Sequence, residues 1–228
     1  EVVHPKGLEM RRYRLVLAAF GMTSCLPALA AVLNVRVLDD RGKPVGDAGV
    51  SMVARSATTE DPPALPAAQT KTIDQRRETF LPYVEIFRPG DRVVFRNSDT
   101  TRHHVYSFSP TRSFEMVVRP GRSTAPLLLD RAGIVAVGCN IHDHMRNWLF
   151  VSSAPWLAIT DAGGQVRFDA IPVGKYTLTV WHPQLSPRQP PVERQLDVPA
   201  DRADMKLPVT LSLLSDPRMP MDHNRMQY

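Results

Sequence analysis

Residues 133–152 read GIVAVGCNIHDHMRNWLFVS. Two short apolar runs, IVAVGC at 134–139 and NWLFVS at 147–152, have the length and composition of buried strands. Between them, within seven positions, fall Cys139, His142, His144 and Met145, in a chain that holds only two cysteines. Such a stretch is a metal site, a nucleophile with its base, or the end of a core strand. A Cys thiolate is a soft ligand, imidazole a borderline one and a thioether soft again, so Cys139, His142 and Met145 in the pattern C-x2-H-x2-M suit copper. Zinc fits less well, because methionine is an unusual zinc ligand. A Cys-His nucleophile would need an accessible thiolate, a third group orienting the base and an oxyanion hole. Nothing in the sequence marks such a cleft, and the expectation is that the protein is not an enzyme. As a structural alternative, Cys139 is a small buried hydrophobe.

A further ligand has to come from another strand, and NSDTTRHHV (97–105) supplies candidates. His103 follows the turn-forming Asn-Ser-Asp and opens the strand HVYSF (104–108). Neighbouring residues on a strand point to opposite faces, so only one of His103 and His104 ligates, and the sequence leaves open which. His144 is read as solvent-facing or as supporting the ligands from outside. His182, in TVWHPQL, is read as a structural histidine.

Outward from this stretch the pattern stays strand-like. LNVRVL (33–38) and GVSMVA (49–54) flank the turn Asp40-Arg41-Gly42-Lys43-Pro44. RSATTEDPPALPAAQT (55–70) reads as a linker. YVEIF (83–87), RVVFRN (92–97), HVYSF (104–108), FEMVV (114–118), PLLL (126–129) and the two runs quoted first then follow, separated by Pro-Gly, Asp and Ala-Gly breaks. Short strands at this spacing, with helical periodicity nearly absent, predict an all-β protein built as a sandwich or barrel.

The N-terminal part has the marks of an export signal. Arg11, Arg12 and Arg14 form a basic end, Leu15 to Pro27 are mostly apolar, and Ala28-Leu29-Ala30 is a small-x-small cleavage site. Residues 1–9 read as an upstream extension of that signal. The apolar run is too short to span a bilayer of roughly 30 Å. Cleavage after Ala30 would remove Cys25 and leave Cys139 alone, which excludes a disulfide within the chain. A lone thiol in an oxidising compartment is either buried or bound to something. The net charge of +5 would fall to about +3, since residues 1–30 hold four basic and two acidic side chains. With no basic run interleaved with aromatics, nucleic acid is not an expected partner.

Two family resemblances sharpen this reading. VLDDRGKPVGDAGVSMV near the start, and LAIT-DAGG-QVRFDAI-PVG-KYTLTVWH (157–182), resemble the strand, D-x-x-G turn and P-x-G-x-Y pattern of the carboxypeptidase regulatory-like (transthyretin-like) sandwich. The intervening stretch resembles the cupredoxins, and most of all the amicyanins, whose ligand loop has the same C-x2-H-x2-M spacing. Plastocyanin and pseudoazurin loops are two residues longer between His and Met. In plastocyanin-like proteins an Asn lies six residues before the first His ligand, as Asn97 does before His103. The small cupredoxins usually carry Asn directly after that His. Here the position is His104, which can also donate a hydrogen bond. The composite resembles proteins named methylamine utilisation protein or plastocyanin-like.

The resemblances imply residues 31–56 and 154–213 as the two parts of one small sandwich, a linker at 57–71, a cupredoxin module at 72–153 and a tail at 214–228. They imply one type 1 copper ion held by His103, Cys139, His142 and Met145, in a periplasmic one-electron carrier. His142 would lie near the surface with Ile141, His144 and Trp148 as its rim, an apolar patch suited to a transient redox partner, with Arg146 adding steering. Two other readings are a copper-trafficking protein, motivated by Met219, Met221, His223 and Met226 in the tail, and a scaffold with structural copper.

Overall fold

The computed structural model describes residues 31–186, 188–201 and 204–216. The expected signal at 1–30 and the methionines and histidine of the tail lie outside the described residues. Within them the chain is all-β, with sixteen strands and no helix. No described helix is long and apolar enough to cross a membrane.

The segments at either end of the chain pair with each other. β1 (Ala31–Asp39) lies between β13 (Gln165–Ile171), antiparallel, and β16 (Asp204–Leu211), parallel. β2 (Gly49–Ala54) sits between β12 (Trp156–Ile159) and β14 (Gly174–Trp181), with β15 (Val192–Val198) at the far edge. Strand alternation drives the closure. Ala31, Leu33, Val35 and Val37 of β1 point inward and meet Val50, Met52, Tyr176, Leu178 and Val180 in one buried apolar cluster. Each fully buried Leu or Val there contributes roughly 1.5–3 kcal/mol.

Two turns of this flanking sandwich are the same device. Asp39 Oδ1 accepts the N–H groups of Arg41 and Lys43, both at 2.8 Å, and Asp161 Oδ1 accepts those of Gly163 and Gln165, both at 2.9 Å. The aspartate replaces ladder hydrogen bonds that a reversing chain loses. Gly164 has φ +71°, and a Cβ there would come within 2.4 Å of the Val37 carbonyl, so the second turn requires glycine.

Residues 70–151 form a second sandwich. One sheet runs β4 (Phe80–Leu81), β3 (Thr70–Gln75), β6 (Arg92–Asn97), β9 (Leu127–Leu128). The other runs β5 (Val84–Phe87), β11 (Arg146–Val151), β10 (Gly133–Cys139), β7 (His103–Ser109), β8 (Arg112–Val118). The chain crosses between the sheets from β4 to β5, β5 to β6, β6 to β7, β8 to β9 and β9 to β10, which interleaves distant segments. Ile73, Phe80, Phe87, Phe95, Val105, Val135, Val137 and Leu149 fill its own core. β3 and β4 come from a stretch with no strand signature in the sequence; TKTIDQ buries only Ile73 and Gln75.

The two sandwiches meet through aromatic rings. Trp181 of β14 packs against Trp148 and Phe150 of β11, each at 5.7 Å between ring centroids. A Cβ on Gly49 would come within 2.2 Å of the Phe150 ring, so this close approach depends on that glycine. The Arg88 guanidinium donates to the carbonyls of Ala154 at 2.6 Å and Pro155 at 3.2 Å, tying the returning chain to the second sandwich.

Candidate metal centre

β7 and β10 are antiparallel neighbours, with Cys139 opposite Val105 and Gly138 opposite Tyr106. The alternation of β7 turns His103, Val105 and Ser107 inward, and that of β10 turns Val135, Val137 and Cys139 inward. His103 and Cys139 therefore share the interior at one end of the sandwich, both almost fully buried. Past Cys139 the chain makes a tight loop, closed by the Met145 N–H donating to the His142 carbonyl at 3.0 Å. That loop returns His142 over the same point.

The three side chains converge. His103 Nδ1 lies 3.7 Å and His142 Nδ1 3.9 Å from Cys139 Sγ, and one ligand atom from each residue falls within 4.8 Å of the others. A metal–nitrogen bond of about 2.0 Å and a metal–sulfur bond of about 2.3 Å meeting at about 120° would hold N and S about 3.7 Å apart. Both sulfur–nitrogen distances thus fit three side chains sharing one ion, and a thiolate with two imidazoles suits copper. Met145 is buried in the same apolar cluster as Cys139, at 1% exposure, with its backbone fixed by the loop.

The ambiguity between His103 and His104 resolves by face. His104 points outward, where Asn140 Nδ2 donates to its Nδ1 at 3.2 Å and its Nε2 lies 2.8 Å from Glu115 Oε1. The Asn140 N–H also donates to the His104 carbonyl at 3.0 Å. His104 thereby ties β7 to the cysteine loop from outside, through the partner the sequence reading missed, Asn140.

Each inward histidine meets a carboxylate at its far nitrogen. His103 Nε2 lies 2.9 Å from Asp99 Oδ2, so with Nδ1 facing sulfur the ring proton sits on Nε2 and donates to the carboxylate. Asp99 also accepts the backbone N–H groups of Arg77 and Glu78. Burial works to raise its pKa, but the Glu78 N–H, the His103 ring and the Arg77 N–H outweigh it and hold the carboxyl below its ordinary value. Arg77 and Glu78 both have positive φ, 54° and 53°, in the hairpin turn between β3 and β4. Side chains rarely adopt that conformation, and the Asp99 carboxylate offsets its cost by engaging both N–H groups. From this turn Glu78 reaches the second histidine, with Oε1 3.4 Å from His142 Nε2 and Oε2 3.9 Å from His144 Nε2.

Asn97 completes the frame. It is fully buried; its amide donates to the carbonyls of Thr101 at 2.8 Å and Val118 at 2.9 Å, and its oxygen accepts the Asp99 N–H at 2.9 Å. Asp99 was legible only as part of a turn, and Glu78 carried no signal, because its role depends on the β3–β4 hairpin. His144 is more than half exposed and His182 lies in the flanking sandwich, buried, with Nδ1 accepting the Gln184 N–H at 3.1 Å. Trp148 lines a groove of about 400 Å³ with Tyr106, Cys139, Met145 and Arg146.

No family profile and no curated protein sequence matches the chain. Solved structures similar to it include a copper-containing nitrite reductase from Thermus scotoductus, at 20% identity and TM-score 0.33 over 41% of this chain. The chain spans about a quarter (25%) of that protein's length. A purple cupredoxin from Nitrosopumilus maritimus aligns at 17% identity and TM-score 0.32, over 37% of this chain and 99% of its own. Amicyanin from Paracoccus versutus aligns at 18% identity and TM-score 0.34, over 45% of this chain and 98% of its own.

Proposed function

We propose that the chain is a mononuclear type 1 copper protein of the cupredoxin kind that carries one electron in the periplasm, without catalysing a reaction itself. The observation that carries this reading is the convergence of His103 Nδ1, His142 Nδ1 and Cys139 Sγ at 3.7 and 3.9 Å on two paired strands and their connecting loop. In this reading Met145, buried in the same cluster as Cys139, would help to hold the ion. Bound copper would supply the one-electron couple between Cu(I) and Cu(II).

The protein's part is to hold still. Copper(I) and copper(II) favour different geometries, so a site that cannot relax passes an electron with little rearrangement. His103 is fixed by Asp99, Asp99 by Asn97 and the β3–β4 turn, and the cysteine loop by Asn140 against His104. Cys139 and Met145 are themselves almost fully buried. His142, with 18% of its side chain exposed, is the proposed point of electron entry and exit. A transient redox partner would dock over His142 and the half-exposed Ile141, beside the groove that Trp148 lines. Ile141→Lys and Trp148→Ala should slow electron transfer to the physiological partner without changing the copper spectrum.

Purified protein loaded with copper(II) should show the intense visible thiolate-to-copper absorption of such sites, bleached and restored reversibly by reductant and oxidant. A colourless protein that binds only copper(I) and gives it up to an acceptor would favour trafficking instead. Export is tested separately, by fractionating cells for the mature chain.

A further inference from the structure

The end of the sandwich that holds the copper ligands carries six exposed arginines: Arg76, Arg77, Arg96, Arg102, Arg119 and Arg122. Backbone contacts place them around the site. The Arg77 N–H binds the Asp99 carboxylate that holds His103, and Arg102 immediately precedes that histidine. Arg119 follows Val118, which pairs with His103, and the Arg122 carbonyl accepts the Asn97 N–H at 2.8 Å. Arg96 precedes Asn97 and Arg76 closes the β3–β4 turn on Thr79.

Among the described residues none of the six guanidinium groups has a carboxylate within 4.0 Å or a side-chain hydrogen bond, whereas Lys71 and Arg88 of the same sandwich are engaged by Glu85 and the Ala154 carbonyl. The acids at this end are otherwise occupied. Asp99 is saturated by two N–H groups and His103, Asp74 accepts the Ser98 hydroxyl, and Glu78 lies against His142 and His144. In the cysteine loop, residues 139–145, the one acidic residue is Asp143. Six exposed arginines at one end of a sandwich make a positive field able to steer an anionic partner, and each guanidinium offers a two-pronged fit to a carboxylate.

The geometry points to this arginine-rimmed end as the docking surface for an acidic protein, the redox partner of the carrier. The inference rests on the electron-carrier reading for the partner's role, but not for its charge. A protein fits better than a phosphate polymer because the ligand loop at this end also exposes an apolar side chain, Ile141, and carries an acid, Asp143, while Glu78 lies against His142, the make-up of a transient protein interface. No aromatic side chains alternate with the arginines as stacking platforms for bases.

The test uses two triple variants with the same change in net charge. Arg102→Glu, Arg119→Glu and Arg122→Glu reverse the rim; Lys175→Glu, Arg194→Glu and Lys206→Glu reverse the flanking sandwich. Hexacyanochromate(III), a redox-inert paramagnetic anion, is titrated into labelled protein without copper. It should first broaden the amide signals of residues 76–79, 99–103, 119–123 and 140–145, and a hexaglutamate peptide should shift the same set. Both effects should vanish in the rim variant and persist in the flanking one. Reduced copper protein should react with hexacyanoferrate(III) at a rate that falls about tenfold as salt is raised, with the sign reversed in the rim variant. Anion effects centred on the flanking sandwich, or indifferent to the rim reversal, overturn the proposal. Tighter binding to phosphatidylglycerol vesicles or to an oligonucleotide than to hexaglutamate overturns the choice of a protein. A protein that takes up no redox-active copper yet shows the rim-dependent anion map refutes the carrier reading while leaving the acidic partner standing.

Discussion

The two sandwiches of this chain are similar in strand content and opposite in what they bury. In the flanking sandwich the interior is apolar, and the buried polar side chains are Thr160 and His182 among the described residues. In the sandwich that holds the His103–Cys139–His142 cluster, Gln75, Asp91, Asn97, His103, Ser107 and Asn147 are all buried. Burying such groups costs free energy unless each finds a partner, and most of these sit near the metal end or brace strands that lead to it. The flanking sandwich is thus built for stability through packing. Its neighbour gives up some of that to hold a cluster of ligands in one geometry.

The comparison can be broken by substitutions that should act on one side only. The largest effect falls on Cys139→Ser, which should abolish the visible copper band while circular dichroism of the metal-free protein stays the same. His103→Ala should do likewise, whereas His104→Ala should keep the colour. Next comes Leu178→Ala in the flanking core. A fully buried leucine lost there costs about 2–5 kcal/mol, read as a lower urea midpoint, with an unchanged copper spectrum. If Leu178→Ala altered the spectrum as much as the stability, the two sandwiches would not be separable in this way.

Asn97→Ala should act on both properties, because it strips partners from the Thr101 and Val118 carbonyls and the Asp99 N–H. About 2–3 kcal/mol of stability should be lost in chemical denaturation, together with a broadened copper signal. Asp99→Asn keeps the shape and removes a negative charge from behind His103. It should raise the reduction potential by roughly tens of millivolts, against 59 mV for each tenfold change in relative copper(II) and copper(I) affinity. The smallest effect is that of His104→Ala on stability, about 1 kcal/mol, as the exposed link to Asn140 is lost.

Much of this was legible in the residues themselves. The alternation in LNVRVL, RVVFRN and IVAVGC, and the turn residues between them, specify strands locally, so β2 and β6 coincide with their sequence-read limits. Cys139, His142 and Met145 announce themselves because one loop carries them. His103 could be narrowed to a pair of neighbours, and only the register of β7 against β10 tells which faces inward. What stayed hidden depends on distant pairing. β3 and β4 lack an apolar pattern, since much of β3 is exposed, and without them nothing brings Glu78 to His142 or the turn N–H groups to Asp99. That Trp148 follows the ligand loop closely is plain in the sequence; what it packs against is not. Its ring lies against Trp181, a contact that exists only because the two sandwiches pack together.

The most direct test of the central claim is an absorption and electron paramagnetic resonance spectrum of the protein carrying one copper(II) ion, recorded beside Cys139→Ser. An intense charge-transfer band with a narrow copper hyperfine splitting, both lost in the variant, is the predicted result. An ordinary copper(II) spectrum that is the same with and without the Cys139 sulfur would contradict a thiolate and two imidazoles meeting on a single ion.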